Sequence, residues 1–160
     1  ILASPNIGHQ QIVGRLHLIL NGYFKGKKCK VFLAPFDVHF VKKGFDVPDV
    51  MQPDLSVACD MEVEGNVTKK GRYMGTPSLV IEILSESTRS KDMIDKLNTY
   101  MLSGVKEYWI IDTKQESIMI YTFDDAQIDE LNVFKKGKSA SSLIFKGLSA
   151  DVGDLFSELF

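Results

Sequence analysis

Helical spacing of apolar residues distinguishes three segments of this chain from the rest. From Ile7 to Phe24 the apolar residues recur every three or four positions, which predicts an amphipathic helix with one buried face. Ser87 to Ser103 is predicted as a second helix, with N-cap candidates at Ser87–Ser90 and a stop at Gly104. Asp151 to Phe160 is predicted as a short closing helix.

Short apolar runs bounded by turn residues predict strands between these helices. Ser78 to Leu84 is nearly continuously aliphatic and Lys106 to Asp112 has an apolar, aromatic centre, so both are predicted as strands covered on both faces. The polar, glycine-rich segment Glu62 to Thr76 is predicted as a long hairpin loop. The other predicted strands are Cys29–Ala34, Phe36–Val41, Asp54–Cys59, Glu116–Phe123, Glu130–Phe134 and Leu143–Phe145.

The order of these elements favours a mixed α/β (α+β) domain. The chain has 160 residues, of which 44% are hydrophobic and 25% charged, so we expect a single globular domain over residues 1–160. No run reaches the roughly 18 uninterrupted apolar residues of a membrane span, and no basic leader followed by an apolar block marks a signal peptide.

Two cysteines, Cys29 and Cys59, both lie in apolar runs. Neither has a second cysteine or a histidine at metal-ligand spacing, which argues against a metal site there. They are therefore predicted to be reduced residues of the core, as expected in a cytoplasmic protein.

The net charge of −2 is unevenly distributed along the chain. From Ile1 to Phe36 there is no acidic residue, whereas Arg15 and four lysines lie there. Two interpretations of this basic cluster remain open: a solvated turn, or a contact to a phosphate backbone near an acidic metal cleft. The lysines are Lys25, Lys27, Lys28 and Lys30.

Two acidic residues, Asp54 and Glu82, stand in or beside apolar, β-branched runs. Burying a carboxylate there costs several kcal/mol unless a cation or hydrogen bonds compensate. If the two strands pair, both carboxylates converge on one face, and hard oxygen ligands of this kind suit Mg²⁺ or Mn²⁺. The alternative for Asp54 is an acid that caps the loop after Pro53, and the alternative for Glu82 is a structural salt bridge.

Lys96 is the cation most easily brought to these acids. Leu84 occupies the position, two residues after Glu82, where a lysine would complete a Glu-x-Lys metal signature. On the following helix Asp92, Lys96 and Tyr100 are spaced by four and share a face, from which Lys96 can reach back over the strand. Otherwise Lys96 is a solvated lysine paired with Asp92, which is worth a few tenths of a kcal/mol.

Five further residues, with Asp92 of the second helix among them, are candidates for supporting roles around these ligands. Asp37 alternates with apolar neighbours and faces either the same site or solvent. Ser85 follows the acidic strand and either caps the turn or hydrogen-bonds a ligand. Tyr100 serves packing or the site, and His9 is a weaker candidate for a substrate contact.

Four segments of the chain resemble the Uma-two family of restriction-endonuclease-like proteins, a bacterial branch of the PD-(D/E)XK nuclease superfamily. These are Pro53-Asp54, Leu79–Ser85, Asp92-x-x-x-Lys96-x-x-x-Tyr100 and Gly104–Asp112. The resemblance implies a restriction-endonuclease-like core, with a central mixed β-sheet flanked by helices.

The same resemblance implies roles for individual residues. Asp54, Glu82 and the main-chain carbonyl of Ile83 would be metal ligands, and Lys96 would be the catalytic lysine, displaced from the strand to the helix. Many members of the superfamily carry an additional acidic ligand on the first helix. Here that helix has none, and its polar candidates are His9, Gln10 and Gln11.

We therefore expect a Mg²⁺- or Mn²⁺-dependent endonuclease that hydrolyses the phosphodiester bonds of DNA. We expect it to be a cytoplasmic protein. A homodimer is expected if both strands are cut at once. The alternative is a catalytically silent module on the same fold that binds nucleic acid or protein, which the acid-free first helix and the mild net charge favour. Motifs of serine hydrolases, P-loop proteins and dinucleotide-binding proteins are not found in the sequence.

Overall fold

A six-stranded mixed sheet lies at the centre of the protein, between two hydrophobic layers. The computed structural model describes residues 6–84 and 91–159, except for the side chains of Lys91 and Asp92. In chain order the elements are α1 (Ile7–Phe24), β1 (Lys30–Leu33), β2 (Val38–Phe40), β3 (Asp49–Met51), β4 (Leu55–Ala58), β5 (Leu79–Leu84), α2 (Lys91–Leu102), β6 (Glu107–Asp112), β7 (Ser117–Asp124), β8 (Gln127–Lys135), β9 (Ser139–Ser141), β10 (Ser149–Asp151) and α3 (Val152–Phe156).

The strand order of the central sheet is β1-β4-β5-β6-β7-β8. Only β5 and β6 run parallel, and α2 makes the crossover between them. The other neighbours are antiparallel, which confirms the predicted mixed sheet. Two small ribbons, β2 with β3 and β9 with β10, lie outside it.

Helices cover both faces of the sheet because alternate residues of its central strands are apolar on both sides. Leu79, Ile81 and Ile83 of β5 pack in the layer that also holds the buried face of α1. Val80 packs in the opposite layer, with Tyr100 of α2. The predictions of strands covered on both faces at Ser78–Leu84 and Lys106–Asp112 are thus confirmed.

The first helix begins and ends where the apolar spacing predicted. Asn6 is its N-cap, and the Asn6 side chain accepts a hydrogen bond from the main-chain N–H of His9 at 2.9 Å. The predicted stop of α2 is also observed, since Gly104 takes a φ of 87° just after the helix. The predicted caps at Ser87–Ser90 lie outside the described residues. No helix in the described ranges is both long and apolar enough to cross a membrane.

One predicted strand was wrong, and three short strands, β3, β9 and β10, were not predicted. The segment Leu143–Phe145 is not a strand, because the N–H groups of Leu143 and Ile144 donate to the Glu107 carboxylate, at 2.8 and 3.3 Å, instead of to a neighbouring strand. Strand β3 was not predicted because Pro48 and Pro53 bracket it and only three of its residues pair with β2.

The prediction of reduced cysteines was also wrong. Cys29 and Cys59 form a disulfide. The register of β1 and β4 pairs Lys30 with Ala58, so its next position places the two cysteines opposite each other. This neighbourhood depends on the pairing of strands 30 residues apart, which the spacing of the cysteines in the sequence does not reveal.

Glu107 is a buried acid on the face of the sheet opposite α2, where it binds three N–H groups. Its side chain is fully buried and accepts hydrogen bonds from the Trp109 ring N–H at 2.7 Å and from the two main-chain N–H groups of the 143–144 segment. Among the described residues, three N–H donors and no cation contact this carboxylate, and they satisfy it.

We predict that Glu107→Ala lowers the free energy of unfolding by about 3 kcal/mol or more, because the buried Trp109 N–H and two partly buried main-chain N–H groups lose their acceptor. Urea denaturation followed by circular dichroism measures this change. The exposed Glu64 lies in a loop, and Glu64→Ala is the matched control, with an expected change within about 0.5 kcal/mol. Equal losses for both variants would contradict the assigned role of Glu107.

Candidate active site

The two acids singled out in the sequence lie on adjacent strands at the same end of the sheet. β4 pairs with β5 so that Leu55 lies opposite Ile81, and the next position places Asp54 opposite Glu82. Oδ2 of Asp54 accepts a hydrogen bond from the main-chain N–H of Ile83 at 2.8 Å. The strand register thus brings the two carboxylates into one neighbourhood and fixes the orientation of Asp54.

Glu82 is a buried acid whose two oxygens are both engaged. It is 5% exposed, on the face of β5 that α2 covers. Nζ of Lys96 lies 3.1 Å from Oε2, and the Tyr100 hydroxyl donates a hydrogen bond of 2.5 Å to Oε1. The cation and the hydrogen bond supply the compensation that a buried carboxylate requires.

Helix α2 presents Lys96 and Tyr100 to the same carboxylate because residues four apart share a helix face. Tyr100 is fully buried, and its ring packs against those of Phe40 and Tyr108, with centroids 5.0 and 4.9 Å apart. Packing and hydrogen bonding, which were alternatives for Tyr100 in the sequence, are therefore combined in one side chain.

His9 joins the site from the first turn of α1. Its Nε2 lies 3.1 Å from Oδ1 of Asp54, and its side chain is 16% exposed. The other ring nitrogen, Nδ1, is buried and has no hydrogen-bond partner among the described residues. The sequence offered His9 only for a substrate contact and did not predict its contact with Asp54. The signal that points to it is a polar residue near the start of a helix that lacks an acid.

The charges of these side chains influence one another. Burial raises the pKa of Glu82 from its ordinary value of 4.5 to about 7; the charge of Asp54 adds to the rise, and Lys96 and Tyr100 oppose it. The hydrogen bond to Asp54 raises the pKa of His9 against the effect of burial. Burial next to Glu82 raises the pKa of Tyr100 well above its usual value, so its hydroxyl remains a donor.

Other candidates from the sequence do not meet at this site within the described residues. Asp37 is exposed and accepts a hydrogen bond from the Gln52 side chain at 2.8 Å, and none of its described contacts is with the acids. Ser85 and the side chain of Asp92 lie outside the described part of the structure.

The basic cluster lies at the other end of α1. Lys25 follows His9 by 16 positions, which corresponds to about 24 Å along a helix axis. Lys30 pairs with Ala58, at the end of β4 opposite Asp54. Lys27 lies over the ring of Tyr23, with Nζ 3.3 Å from the centroid. The position of the cluster does not support a phosphate contact beside the acids.

The donor set of the site suits a hard divalent ion that retains water ligands. No group of three His, Cys, Asp or Glu side chains within residues 6–84 and 91–159 is arranged to hold a metal ion. Mg²⁺ is usually held by one or two carboxylates with water and phosphate oxygens, and not by an all-protein cage. Asp54 and Glu82 form such a smaller set, and a cation bound by them would offset the burial and, to a lesser degree, the charge of Asp54, which together raise the pKa of Glu82.

Comparisons with known proteins agree with this fold. The chain matches a crystal structure described as a "putative nuclease belonging to DUF820" from Anabaena variabilis ATCC 29413, with a TM-score of 0.74 and 21% identity over 99% of this chain and 85% of that one. No curated protein matches the chain. The sequence model of the Uma2 family, described as "Putative restriction endonuclease", matches residues 1–153. The chain therefore belongs to the Uma2 family of restriction-endonuclease-like nucleases.

Proposed function

We propose that this protein is a divalent-metal-dependent endonuclease that hydrolyses phosphodiester bonds of DNA. The observation that carries the proposal is the buried Glu82 carboxylate, which lies 3.1 Å from the Lys96 amine and next to the strand position of Asp54. The family supports a nuclease and hence a nucleic-acid substrate. We further propose that the metal is Mg²⁺ or Mn²⁺ and that the nucleic acid is DNA.

Asp54, Glu82 and the main-chain carbonyl of Ile83 would hold the ion. The N–H of Ile83 points toward Asp54, and the N–H and C=O of one strand residue point to the same side, so this carbonyl also faces Asp54. A bound divalent ion would lower the pKa of a water ligand and neutralise charge on the phosphate.

Lys96 is proposed as the catalytic cation. Its amine is held by Glu82 and its side chain is 26% exposed, so the amine can also donate to an anionic phosphate oxygen or orient the attacking water. In the hydrolysis, the water loses one proton as its oxygen bonds to phosphorus, the bond from phosphorus to the leaving sugar oxygen breaks, and that oxygen takes up a proton.

His9 and Tyr100 are proposed as positioning residues. His9 holds Oδ1 of Asp54 while the main chain of Ile83 holds Oδ2, so the Asp54 carboxylate is gripped at both oxygens. Tyr100 likewise holds the oxygen of Glu82 that Lys96 does not contact. Partners of this kind orient metal-binding carboxylates in proteins.

The second candidate function is a silent module that binds nucleic acid or protein. The contact of Asp54 with His9, where an acid would have supplied a further metal ligand, favours this alternative. A cytoplasmic location belongs to the proposal of a nuclease acting on cellular DNA, and the Cys29–Cys59 disulfide is the observation against that location.

We predict that the protein nicks supercoiled plasmid DNA with Mn²⁺ or Mg²⁺, and that Glu82→Gln and Lys96→Met each slow nicking by about 100-fold or more. Lys114, an exposed lysine in the turn after β6, provides the control Lys114→Met, with activity near that of the wild type. Nicking that is unchanged in Glu82→Gln would assign it to a contaminant. Calorimetric binding of DNA without any turnover would support the silent module.

We predict that the metal-free protein becomes less stable as the pH rises from about 4.5 to about 7. The folded state holds the Glu82 proton with a pKa of about 7, against 4.5 ordinarily, so stability from this group is present below 4.5 and is lost as the pH passes 7. Urea denaturation in EDTA measures the loss, and Glu82→Gln should reduce it.

The same titration with Mn²⁺ separates the ion from the proton. Because Mn²⁺ favours the ionised carboxylate, it should stabilise the folded protein more at about pH 8 than at about pH 6. His9 also titrates in this neighbourhood, so the comparison is repeated in a His9→Phe background. An identical pH profile in wild type and Glu82→Gln would contradict the assignment.

We predict that His9→Ala weakens Mn²⁺ binding by about tenfold or more, because Asp54 loses the group that orients one of its oxygens. Isothermal titration calorimetry measures the affinity. Gln10 is exposed in the same helical turn, and Gln10→Ala is the control expected to bind as the wild type does. Equal affinities for the two variants would exclude the positioning role of His9.

A further inference from the structure

The disulfide between Cys29 and Cys59 closes one end of the ladder formed by β1 and β4. β1 pairs with β4 over four positions, and the cysteines occupy the next position beyond Lys30 and Ala58. Within the described part of the chain β1 pairs with no other strand. The place of β1 at the edge of the sheet therefore depends on this ladder and on the bond that closes it.

The opposite end of the same ladder supports Asp54. The main-chain N–H of Ala34, the residue after β1, donates to the main-chain oxygen of Asp54 at 3.2 Å. His9 of α1 lies 3.1 Å from the Asp54 carboxylate. Both contacts come from residues 7–34, which the disulfide ties to the far end of β4.

The pairing with β1 is the longer of the two pairings that hold β4. β4 pairs with β5 over three positions, from Leu55 to Val57. The described contact of β5 with Asp54 is made by the N–H of Ile83 and reaches the side chain, whereas Ala34 holds the main chain. A looser β1 would therefore release the main chain of the strand end that carries Asp54.

The charges beside the two cysteines make them unequal in thiol–disulfide exchange. Cys29 stands between the exposed Lys28 and Lys30, and adjacent cations stabilise a thiolate. Cys59 is followed by the acidic Asp60 and is less deeply buried than Cys29. An attacking thiolate is thus directed to Cys59, with Cys29 as the leaving group.

We propose that the Cys29–Cys59 disulfide is a reversible, redox-sensitive link that regulates the metal site. The oxidised protein holds Asp54 firmly for metal binding, and the reduced protein holds it less firmly. The inference rests on the proposed function, because the site that it regulates is the proposed metal site. In the cytoplasm, the location that belongs to that function, disulfides are usually transient and catalytic or redox-sensing.

The reductant is a dithiol, and the exchange takes place in two steps. One thiolate of the dithiol bonds to Sγ of Cys59, the S–S bond breaks, and Cys29 leaves as a thiolate that takes up a proton. The second thiol of the reductant loses its proton and attacks its own sulfur in the mixed disulfide. Cys59 then leaves and is protonated, so two electrons and two protons have passed from the dithiol to the protein.

The reduced protein is expected to stay folded. Cys29 belongs to the buried layer around α1, and Cys59 packs against that layer. A free cysteine behaves as a small apolar residue, so this packing does not require the bond. Reduction removes the covalent closure between two residues that are 30 positions apart, and it leaves the four paired positions of β1 and β4 in place.

The first experiment compares the metal-free oxidised protein with protein treated with dithiothreitol, whose free thiols are counted by alkylation and mass spectrometry. Reduction should lower the melting temperature by about 10 °C. It should also speed hydrogen exchange of the Ala34 N–H, followed by NMR, by about tenfold or more. The control is the Cys29→Ser/Cys59→Ser double variant, which should match the reduced wild type with or without dithiothreitol.

The second experiment measures Mn²⁺ affinity by calorimetry after the dithiothreitol has been removed under nitrogen. Reduction of the wild type should weaken binding by about tenfold or more, and the double variant should bind equally weakly before and after the treatment. Redox-dependent exchange of Ala34 without Mn²⁺ binding in either state would support the link and contradict the proposed metal site.

Two results would overturn the inference. One is an Ala34 exchange rate and a Mn²⁺ affinity that stay the same although both thiols are shown to be free. The other is a disulfide that dithiothreitol opens only after the protein is unfolded in urea, which would make the bond a permanent structural one.

Discussion

The arrangement of the site depends on a carboxylate placed in the interior of a sheet. Glu82 lies in a strand whose other residues are aliphatic, and burial raises its pKa to about 7. It remains there because one oxygen contacts the Lys96 amine and the other accepts from Tyr100. These two contacts tie the position of α2 over the sheet to Glu82, because both Lys96 and Tyr100 must reach its carboxylate. The packing of the Tyr100 ring against its aromatic neighbours fixes that position.

Glu107 shows why burial of an acid does not by itself indicate chemistry. It is less exposed than Glu82 and lies on the adjacent strand, yet neutral N–H groups satisfy it. Through these donors, Glu107 holds the 143–144 segment in place. No cation or second carboxylate is among the described contacts of Glu107. Glu82 instead faces a lysine and lies opposite Asp54, so its charge interacts with groups that can bind or release ligands. The partners, and not the burial, distinguish a structural acid from a candidate ligand.

What the sequence predicted well were features that depend on local pattern. The bounds of α1 follow from apolar spacing, and β5 and β6 follow from uninterrupted apolar runs. The features that it predicted poorly depend on contacts between distant segments. The disulfide depends on the register of β1 and β4, and the main-chain N–H of Leu143 donates to the Glu107 side chain instead of to a strand. His9 belongs to the second group, since only the packing of α1 on the sheet brings it to Asp54.

The position of Lys96 shows how a cation reaches Glu82 although no lysine stands two residues further along the strand. Leu84 stands where a lysine on the strand would share the face of Glu82, and its side chain packs against the apolar layer of α2. The amine arrives instead from that helix, at 3.1 Å from the same carboxylate. Electrostatic stabilisation depends on where the charge lies and not on which backbone carries it. The buried Tyr100, one turn further along α2, anchors the helix that carries Lys96.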